Sequence, residues 1–238
     1  MIMNSDSPFH IAIIPDGNRR WAKQHGLKGY KELYDRGVEG LLGITQAAFD
    51  GGVTHLSLWG SSHANLADRS SDFFSNIDRV FRDNIHRFAE HPVIEQYDVR
   101  INIIGEWRDS LTPKTIEAME KAIAQTAHRK TRELTLLIDY SGNRERTAAV
   151  HSILTDTDSD IATEQLLRSR SWTGHLPDLD LIVRTGSWTD PHNSAGFMSL
   201  LADETQFSFP ELLWPDFTGE TLANIIMEFN SRERRRGK

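Results

Sequence analysis

Within six consecutive positions, Asp16-Gly17-Asn18-Arg19-Arg20-Trp21 gathers a carboxylate, a glycine, an amide and two guanidinium groups. That set suits an anion held together with a metal. Gly17 permits close approach of the backbone to a ligand. Free amides at a helix start, with Arg19 and Arg20 beside them, can hold a diphosphate. Asp16 can hold Mg2+, which prefers one or two carboxylates plus substrate phosphates and water. The same residues also serve as an ordinary helix cap, the commoner use of Asp or Asn at such a turn. The motif alone leaves both readings open.

Further polar clusters accompany it. Gly60-Ser61-Ser62-His63-Ala64-Asn65, with Arg69 beyond, offers hydroxyls and an amide that orient a substrate and a cation that balances a leaving diphosphate. A solvated turn accounts equally well for each residue taken singly. Arg184 ends an apolar run and needs an anion or an acidic neighbour, Asp180 and Asp190 being the nearby choices. Asp190-Pro191-His192-Asn193-Ser194 adds groups that can meet phosphate oxygens, although no Ser-His-Asp order stands out. Histidine as a residue type suits acid–base work at neutral pH, which makes His192 a candidate base for proton loss. The tail Arg232-Glu233-Arg234-Arg235-Arg236-Gly237-Lys238 can fold over an anion or simply complement the end of a helix.

The elements that position these clusters are legible as alternating patterns. Short apolar runs at 9–14, 53–59, 99–104, 134–138 and 181–183 predict strands. Helical spacing follows at 19–49, broken near Gly26-Leu27-Lys28-Gly29, then at 73–89, 115–128, 144–154 and 220–236. Strand and helix alternate throughout, which predicts a single α/β domain over residues 1–238 with a mostly parallel sheet flanked by helices. Three of the polar clusters then fall at the carboxyl ends of strands, where open α/β sheets bind ligands. Thr155-Asp156-Thr157-Asp158-Ser159-Asp160 reads as a surface loop.

Bulk properties narrow the classes. The chain has 238 residues, 27 Lys+Arg against 34 Asp+Glu and a formal net charge of −7, a balance opposite to that of tight nonspecific nucleic-acid binders. The absence of cysteine rules out disulfides, thiolate catalysis and Cys-ligated zinc. No basic segment followed by an apolar run opens the chain, and no stretch has the length of a membrane span. The expectation is a cytoplasmic protein that meets any lipidic substrate from the water side.

Longer motifs carry a family resemblance. His10-Ile11-Ala12-Ile13-Ile14-Pro15-Asp16-Gly17-Asn18-Arg19-Arg20-Trp21-Ala22-Lys23 resembles the first signature of the cis-prenyltransferases, the undecaprenyl diphosphate synthase family. Leu176-Pro177-Asp178-Leu179-Asp180-Leu181-Ile182-Val183-Arg184-Thr185-Gly186 resembles a later one, and Leu213-Trp214-Pro215-Asp216-Phe217 with Arg232-Glu233-Arg234-Arg235 the closing segment. The motifs stand in family order over nearly the whole chain, a far more specific signal than any one alone.

The resemblance implies a six-stranded sheet, an apolar tunnel for the prenyl chain, isoprenoid diphosphate substrates and a homodimer. It implies Mg2+ on Asp16, which assists departure of an allylic diphosphate cradled by Gly17, Asn18, Arg19 and Arg20, with Trp21 and Ser62 in the substrate site. Asn65 and Arg69 would stand near the reacting carbons. Arg184 would bind the acceptor's diphosphate, with Ser194 beside it and Arg235 and Gly237 covering it.

The departures from the family pattern cluster. After Arg184-Thr185-Gly186 the segment is slightly longer and lacks a second acceptor-site arginine, for which His192 or Ser194 can stand in. A family glutamate that helps hold metal aligns with Gln206, a family histidine with about Tyr34, and a glutamate and an aromatic flanking Asn65 with Ala64 and Leu66. Most changes concern the acceptor and its metal, whereas the donor motif is nearly intact. The expectation is therefore a prenyltransferase joining an allylic diphosphate, dimethylallyl diphosphate foremost, to a second C5 diphosphate by irregular, lavandulyl-type coupling with or without cyclisation. Phe73, Phe74 and Phe81 are expected to crowd the tunnel and favour a short product. The alternatives are conventional short-chain cis elongation with isopentenyl diphosphate, transfer to a non-isoprenoid acceptor, a non-catalytic partner subunit, and an unrelated α/β phosphate-binding or hydrolytic protein.

Overall fold

Five of the six strands are short runs rich in Ile, Leu and Val, and most of their residues are buried, as a sheet covered on both faces requires. The computed structural model describes residues 7–27, 31–67, 72–155 and 163–232, with residues 31, 32, 34, 35, 72 and 73 described in their backbone only. In chain order the described elements are β1 (His10–Ile14), α1 (Asn18–Gln24), α2 (Lys31–Asp50), β2 (His55–Trp59), α3 (His63–Leu66), α4 (Asp72–Ala89) and α5 (Pro92–Gln96). There follow β3 (Val99–Ile104), α6 (Trp107–Ser110), α7 (Pro113–Thr126), β4 (Arg132–Leu137), α8 (Gly142–Thr155), α9 (Glu164–Arg170), β5 (Leu181–Arg184), β6 (Gln206–Ser208) and α10 (Gly219–Ser231).

The sheet has six strands in the order β3-β4-β2-β1-β5-β6, and every pairing is parallel, where the sequence predicts only a mostly parallel sheet. The chain runs outward from β1 through β2 on one side and from β5 to β6 on the other. The strand order therefore reverses between β1 and β5, and Ile14 is the register partner of Arg184 there. Such a switch point opens a crevice at the carboxyl ends of the two strands.

Alternate residues of each strand face opposite cores. Ile11, Ile13, Leu58, Leu136 and Val183 join the larger core under α2, α4, α7 and α10. Ala12, Ile14, Leu137 and Ile182 face a smaller one built around Tyr140, Phe197 and Met198. Each fully buried Ile, Leu or Phe contributes on the order of 1.5–3 kcal/mol relative to exposure.

Two predicted features differ. Strand β6 was not visible as a pattern, because three residues, Gln206-Phe207-Ser208, cannot display an alternation and Phe207 is partly exposed. The last helix stops at Ser231 and Arg232 is extended, whereas the spacing predicts helix to 236; residues beyond 232 lie outside the described ones. Most of the predicted acidic surface loop, at 156–160, is likewise outside them.

Candidate active site at the switch point

The turn after β1 is dictated by Gly17. Its φ is 105°, and a Cβ there would lie 2.7 Å from Leu213 Cδ2, so both conformation and space demand glycine. The turn begins α1, whose first residues are Asn18, Arg19 and Arg20. Asn18 Nδ2 donates to the Pro15 carbonyl at 3.1 Å and braces the turn. Trp21 points the other way. Its indole is buried, donates to Asp216 Oδ2 at 2.9 Å and lies beneath the Arg36 guanidinium, 5.1 Å from the ring centre. Trp21 therefore anchors α1 and does not line the cavity described below.

Strand β5 is clamped to this turn. Thr185 Oγ1 accepts from the Asp16 amide at 3.0 Å and donates to the Asp16 carbonyl at 2.8 Å. Arg20 Nη2 donates to the Gly186 carbonyl at 2.5 Å, which is possible because a Cβ on Gly186 would meet that nitrogen at 2.6 Å. The Asp16 carboxylate lies among three donors: Gly17 N at 2.5 Å, Arg184 Nη2 at 3.0 Å and Arg20 Nη2 at 3.4 Å. Neither Asp180 nor Asp190, the partners weighed from the sequence, is the acidic neighbour of Arg184; Asp16 is.

Arg184 also donates through Nη1 to Ser194 Oγ at 2.7 Å and to the His192 carbonyl at 2.9 Å, while its Nε is buried without a partner. His192 Nδ1 is 2.8 Å from the Asp190 carbonyl, which can only accept, so Nδ1 carries a proton and, in the neutral ring, Nε2 is an acceptor. Nε2 lies 3.4 Å from Ser194 Oγ. A polar chain thus runs from Arg184 through Ser194 to His192, whose side chain is 47% exposed.

These groups rim a cavity of about 1040 Å3 between the sheet and helices α2 and α4. Asp16, Gly17, Asn18, Arg19, Arg20, Ser62, Asn65, Arg184 and Ser194 all line it. Its depth is apolar, walled by Leu41, Leu58, Ile77, Val80, Ile85 and Leu136. The Phe81 ring also lines it and comes within 3.2 Å of where a Cβ on Gly60 would stand. Phe74 belongs to the core and does not line the cavity, and the side chain of Phe73 is not described. The His192 side chain stays outside the lining. Arg69, Arg235 and Gly237 lie outside the described residues. Sequence reasoning did not single out Lys23, Trp59, Asn84 or Trp214, which line the cavity too. Lys23 was discoverable, because it follows Arg19 by four positions and shares its helical face.

The residues present fit a diphosphate and a divalent ion in different degrees. An orphaned buried guanidinium nitrogen on Arg184 and the free amides at the start of α1 suit an anion. One half-exposed carboxylate at the rim suits Mg2+ that completes its shell with phosphate oxygens and water. Gln206 adds nothing to it: its Oε1 accepts from Arg232 Nη1 at 3.0 Å, and it does not line the cavity. Among the described residues, His63, Glu106 and Asp139 could also hold a metal, their ligand atoms lying within 4.8 Å of one another. Their carboxylates are already engaged, Glu106 by Arg144 and Asp139 by His63 and Ser110. The Arg144 bonds hold the Glu106 carboxyl below its usual range, and an ion there would have to displace them.

A family model described as "Putative undecaprenyl diphosphate synthase" matches residues 14–237. The chain belongs to this prenyltransferase family. Similar relatives include the isoprenyl transferase of Staphylococcus saprophyticus, 32% identical over 97% of this chain and 89% of that one. The isoprenyl transferase of Streptococcus agalactiae is also 32% identical, over 97% and 92%. Among solved structures, lavandulyl diphosphate synthase from Lavandula x intermedia, in complex with dimethylallyl diphosphate, is 25% identical with a TM-score of 0.88 over 99% of this chain and 100% of that chain. A probable undecaprenyl diphosphate synthase from Campylobacter jejuni shares the fold, with a TM-score of 0.72 over 98% and 100%. The protein is a prenyl-transferring enzyme with the cis-prenyltransferase fold. None of the helices among the described residues is long and apolar enough to cross a membrane.

Proposed function

We propose that this enzyme condenses dimethylallyl diphosphate with a second C5 isoprenoid diphosphate, by irregular coupling, to give a branched or cyclised ten-carbon diphosphate. The observation that carries the reading is the charged rim over an apolar cavity. Asp16, Arg20 and Arg184 meet at one end, and the space behind them is greasy. A hydrocarbon tail enters such a space and leaves its diphosphate at the rim.

In this account the start of α1 and the Arg20 side chain hold the donor's diphosphate. Asp16 would hold Mg2+, which when bound would supply positive charge to the leaving group. The allylic C–O bond breaks and its electron pair departs with the diphosphate. The π electrons of the acceptor alkene form the new C–C bond, and a neighbouring carbon loses a proton. Fixed charge aimed at the leaving group is the dominant catalytic term. Asn65 stands across the cavity mouth to orient the reacting carbons. Arg184 takes the acceptor's diphosphate. The proton passes through Ser194 to Nε2 of His192, the acceptor nitrogen of the ring. Arg69, Arg235 and Gly237 belong to the same site by resemblance.

Irregular coupling is favoured over ordinary elongation by the rebuilt acceptor half. Ser194 and the His192 carbonyl occupy Arg184 where the family pattern has a second arginine. The lavandulyl diphosphate synthase structure, in complex with dimethylallyl diphosphate, supports the same choice. Phe81 against Gly60 narrows the cavity and favours a short product. The reading takes the enzyme as a homodimer on the strength of the family resemblance, as one domain on the alternation of strands and helices, and as cytoplasmic on the sequence features given above.

The site assignment is tested by calorimetry with a non-reacting thio analogue of dimethylallyl diphosphate. Binding should require Mg2+ in the wild type and lose that requirement in Asp16→Asn. Metal-dependent binding that survives in Asp16→Asn overturns the role given to Asp16.

A further inference from the structure

Asp139 is buried, sits at the end of β4 with φ 51°, and touches nothing in the cavity, yet it joins three loops that surround the site. Its Oδ1 accepts from His63 Nδ1 at 2.8 Å, and its Oδ2 accepts from the Ser110 hydroxyl. Its amide donates to Ser61 Oγ at 3.0 Å, and its carbonyl accepts from the Glu106 amide at 3.3 Å. The next amide, of Tyr140, donates to the Ser61 carbonyl at 3.1 Å. A carboxylate oxygen only accepts, so His63 Nδ1 carries the proton in this pair.

His63 is the first residue of α3, a single turn of four residues. Asn65 lies on that turn, and its amide is capped by Ser62 Oγ at 3.2 Å. One turn of helix has no stability of its own. What fixes it is the buried Leu66, the Ser62 cap and the His63–Asp139 bond. The bond ties an α3 side chain to a fully buried ionisable group. His63 itself is absent from the cavity lining, although its neighbours Ser62, Ala64 and Asn65 belong to it.

We propose that His63 and Asp139 are positioning residues, a strut that holds the turn carrying Asn65 at the cavity mouth. The inference rests on the role given above to Asn65. Strut removal should let the turn fray while the donor's diphosphate site, on β1 and α1, stays intact. A displacement of about 1 Å at a reacting centre costs on the order of 10²-fold in rate. The consequence is a loss in kcat with little change in KM for the allylic substrate.

The test compares wild type with His63→Ala, His63→Asn, Asn65→Ala and the His63→Ala/Asn65→Ala double variant. An asparagine amide can place a donor where Nδ1 stands. Hydrogen exchange of residues 61–67 should accelerate about tenfold or more in His63→Ala, well beyond any change in the exchange of β1 and α1, and return toward wild type in His63→Asn. Turnover should fall about 10–100-fold in His63→Ala at constant KM, and recover in His63→Asn. The double variant should be no slower than Asn65→Ala alone, because a strut acts through what it holds. Unchanged exchange in His63→Ala overturns the inference, whatever product the enzyme makes, as does a double variant whose losses multiply. If exchange accelerates and Asn65→Ala turns over like wild type, the strut stands and the role given to Asn65 fails.

Discussion

The Asp16 carboxylate and the Arg184 guanidinium lie 3.0 Å apart, tying the carboxyl end of β1 to that of β5. Arg184 is 9% exposed and Asp16 38%, so the pair sits at the boundary between core and cavity. The resemblance assigns these two groups different duties, metal on one and acceptor diphosphate on the other. Without ligands each neutralises the other, which keeps a buried guanidinium from standing uncompensated. A metal at Asp16 and an anion at Arg184 both draw on this contact.

Removing the guanidinium alone follows directly. Arg184→Gln is expected to raise KM for the acceptor about 10–100-fold, the range set by a charge-assisted hydrogen bond worth about 1.5–3 kcal/mol. KM for the donor should move far less, since Arg20 and the α1 amides remain. Steady-state kinetics with each substrate varied in turn checks this. Equal effects on both substrates would contradict the division of the site.

His192 is predicted to act at the end of the reaction. Its Nε2 reaches the cavity only through Ser194, 3.4 Å away. His192→Ala should lower the rate about 10²-fold, the lower end for a general base, or shift the ratio of products that differ in the proton lost. The thermal midpoint should hold, because the exposed ring packs against little. Wild-type products at wild-type rate would exclude the role.

Phe81 lines the cavity and is predicted to set the depth available to a product. Phe81→Leu should lengthen the product or broaden its distribution, at a stability cost below about 1.5 kcal/mol for an apolar exchange of moderate size. Phe81→Ala should do more to length and cost about 3 kcal/mol or more. Chromatography of the dephosphorylated products reads the length. An unchanged product from both variants would place the limit elsewhere in the cavity.

Stability should fall with acid in two steps. Burial lowers the pKa of His10 from 6.5 to about 4, against its bond to the Pro177 carbonyl. The folded state thus binds the proton more weakly than the unfolded chain. Full stability is present above pH 6.5 and is lost as pH falls toward 4, on the order of 3 kcal/mol for that gap. Burial lowers the pKa of His55 as well, with the same sign. For Glu133, burial pushes upward, but the His175 and Arg100 hydrogen bonds and charges win and hold it at about 2, against 4.5. Its contribution is present above pH 4.5 and disappears as pH falls toward 2. Urea melts at pH 7.5, 6 and 5 check the first step. His10→Asn should flatten the slope between pH 6.5 and 5, and an unaltered slope would remove His10 from the account.

Much of this architecture was readable in the residues. The strands β1 to β5 announce themselves because buried parallel strands are continuous apolar runs, and the longer helices α2, α4 and α7 because one face repeats near every 3.6 residues. The pairing of β1 with β5 was not readable. Asp16 and Arg184 are 168 positions apart, and only the folded sheet shows that Asp16, rather than Asp180 or Asp190, answers the buried charge. The resemblance put Trp21 in the substrate site, but a helix sends neighbours to different faces, and its ring packs toward Asp216. Gln206 and Arg232 likewise meet only because β6 adds to the sheet edge.

The central claim is a carbon–carbon bond formed between two C5 units in this cavity. The most direct measurement is mass spectrometry of the products formed with Mg2+ and dimethylallyl diphosphate, with and without isopentenyl diphosphate. The account predicts a ten-carbon diphosphate from dimethylallyl diphosphate alone, branched or cyclised by fragmentation pattern. A product that forms only when isopentenyl diphosphate is present, with a linear skeleton, would contradict irregular coupling and return the enzyme to conventional elongation.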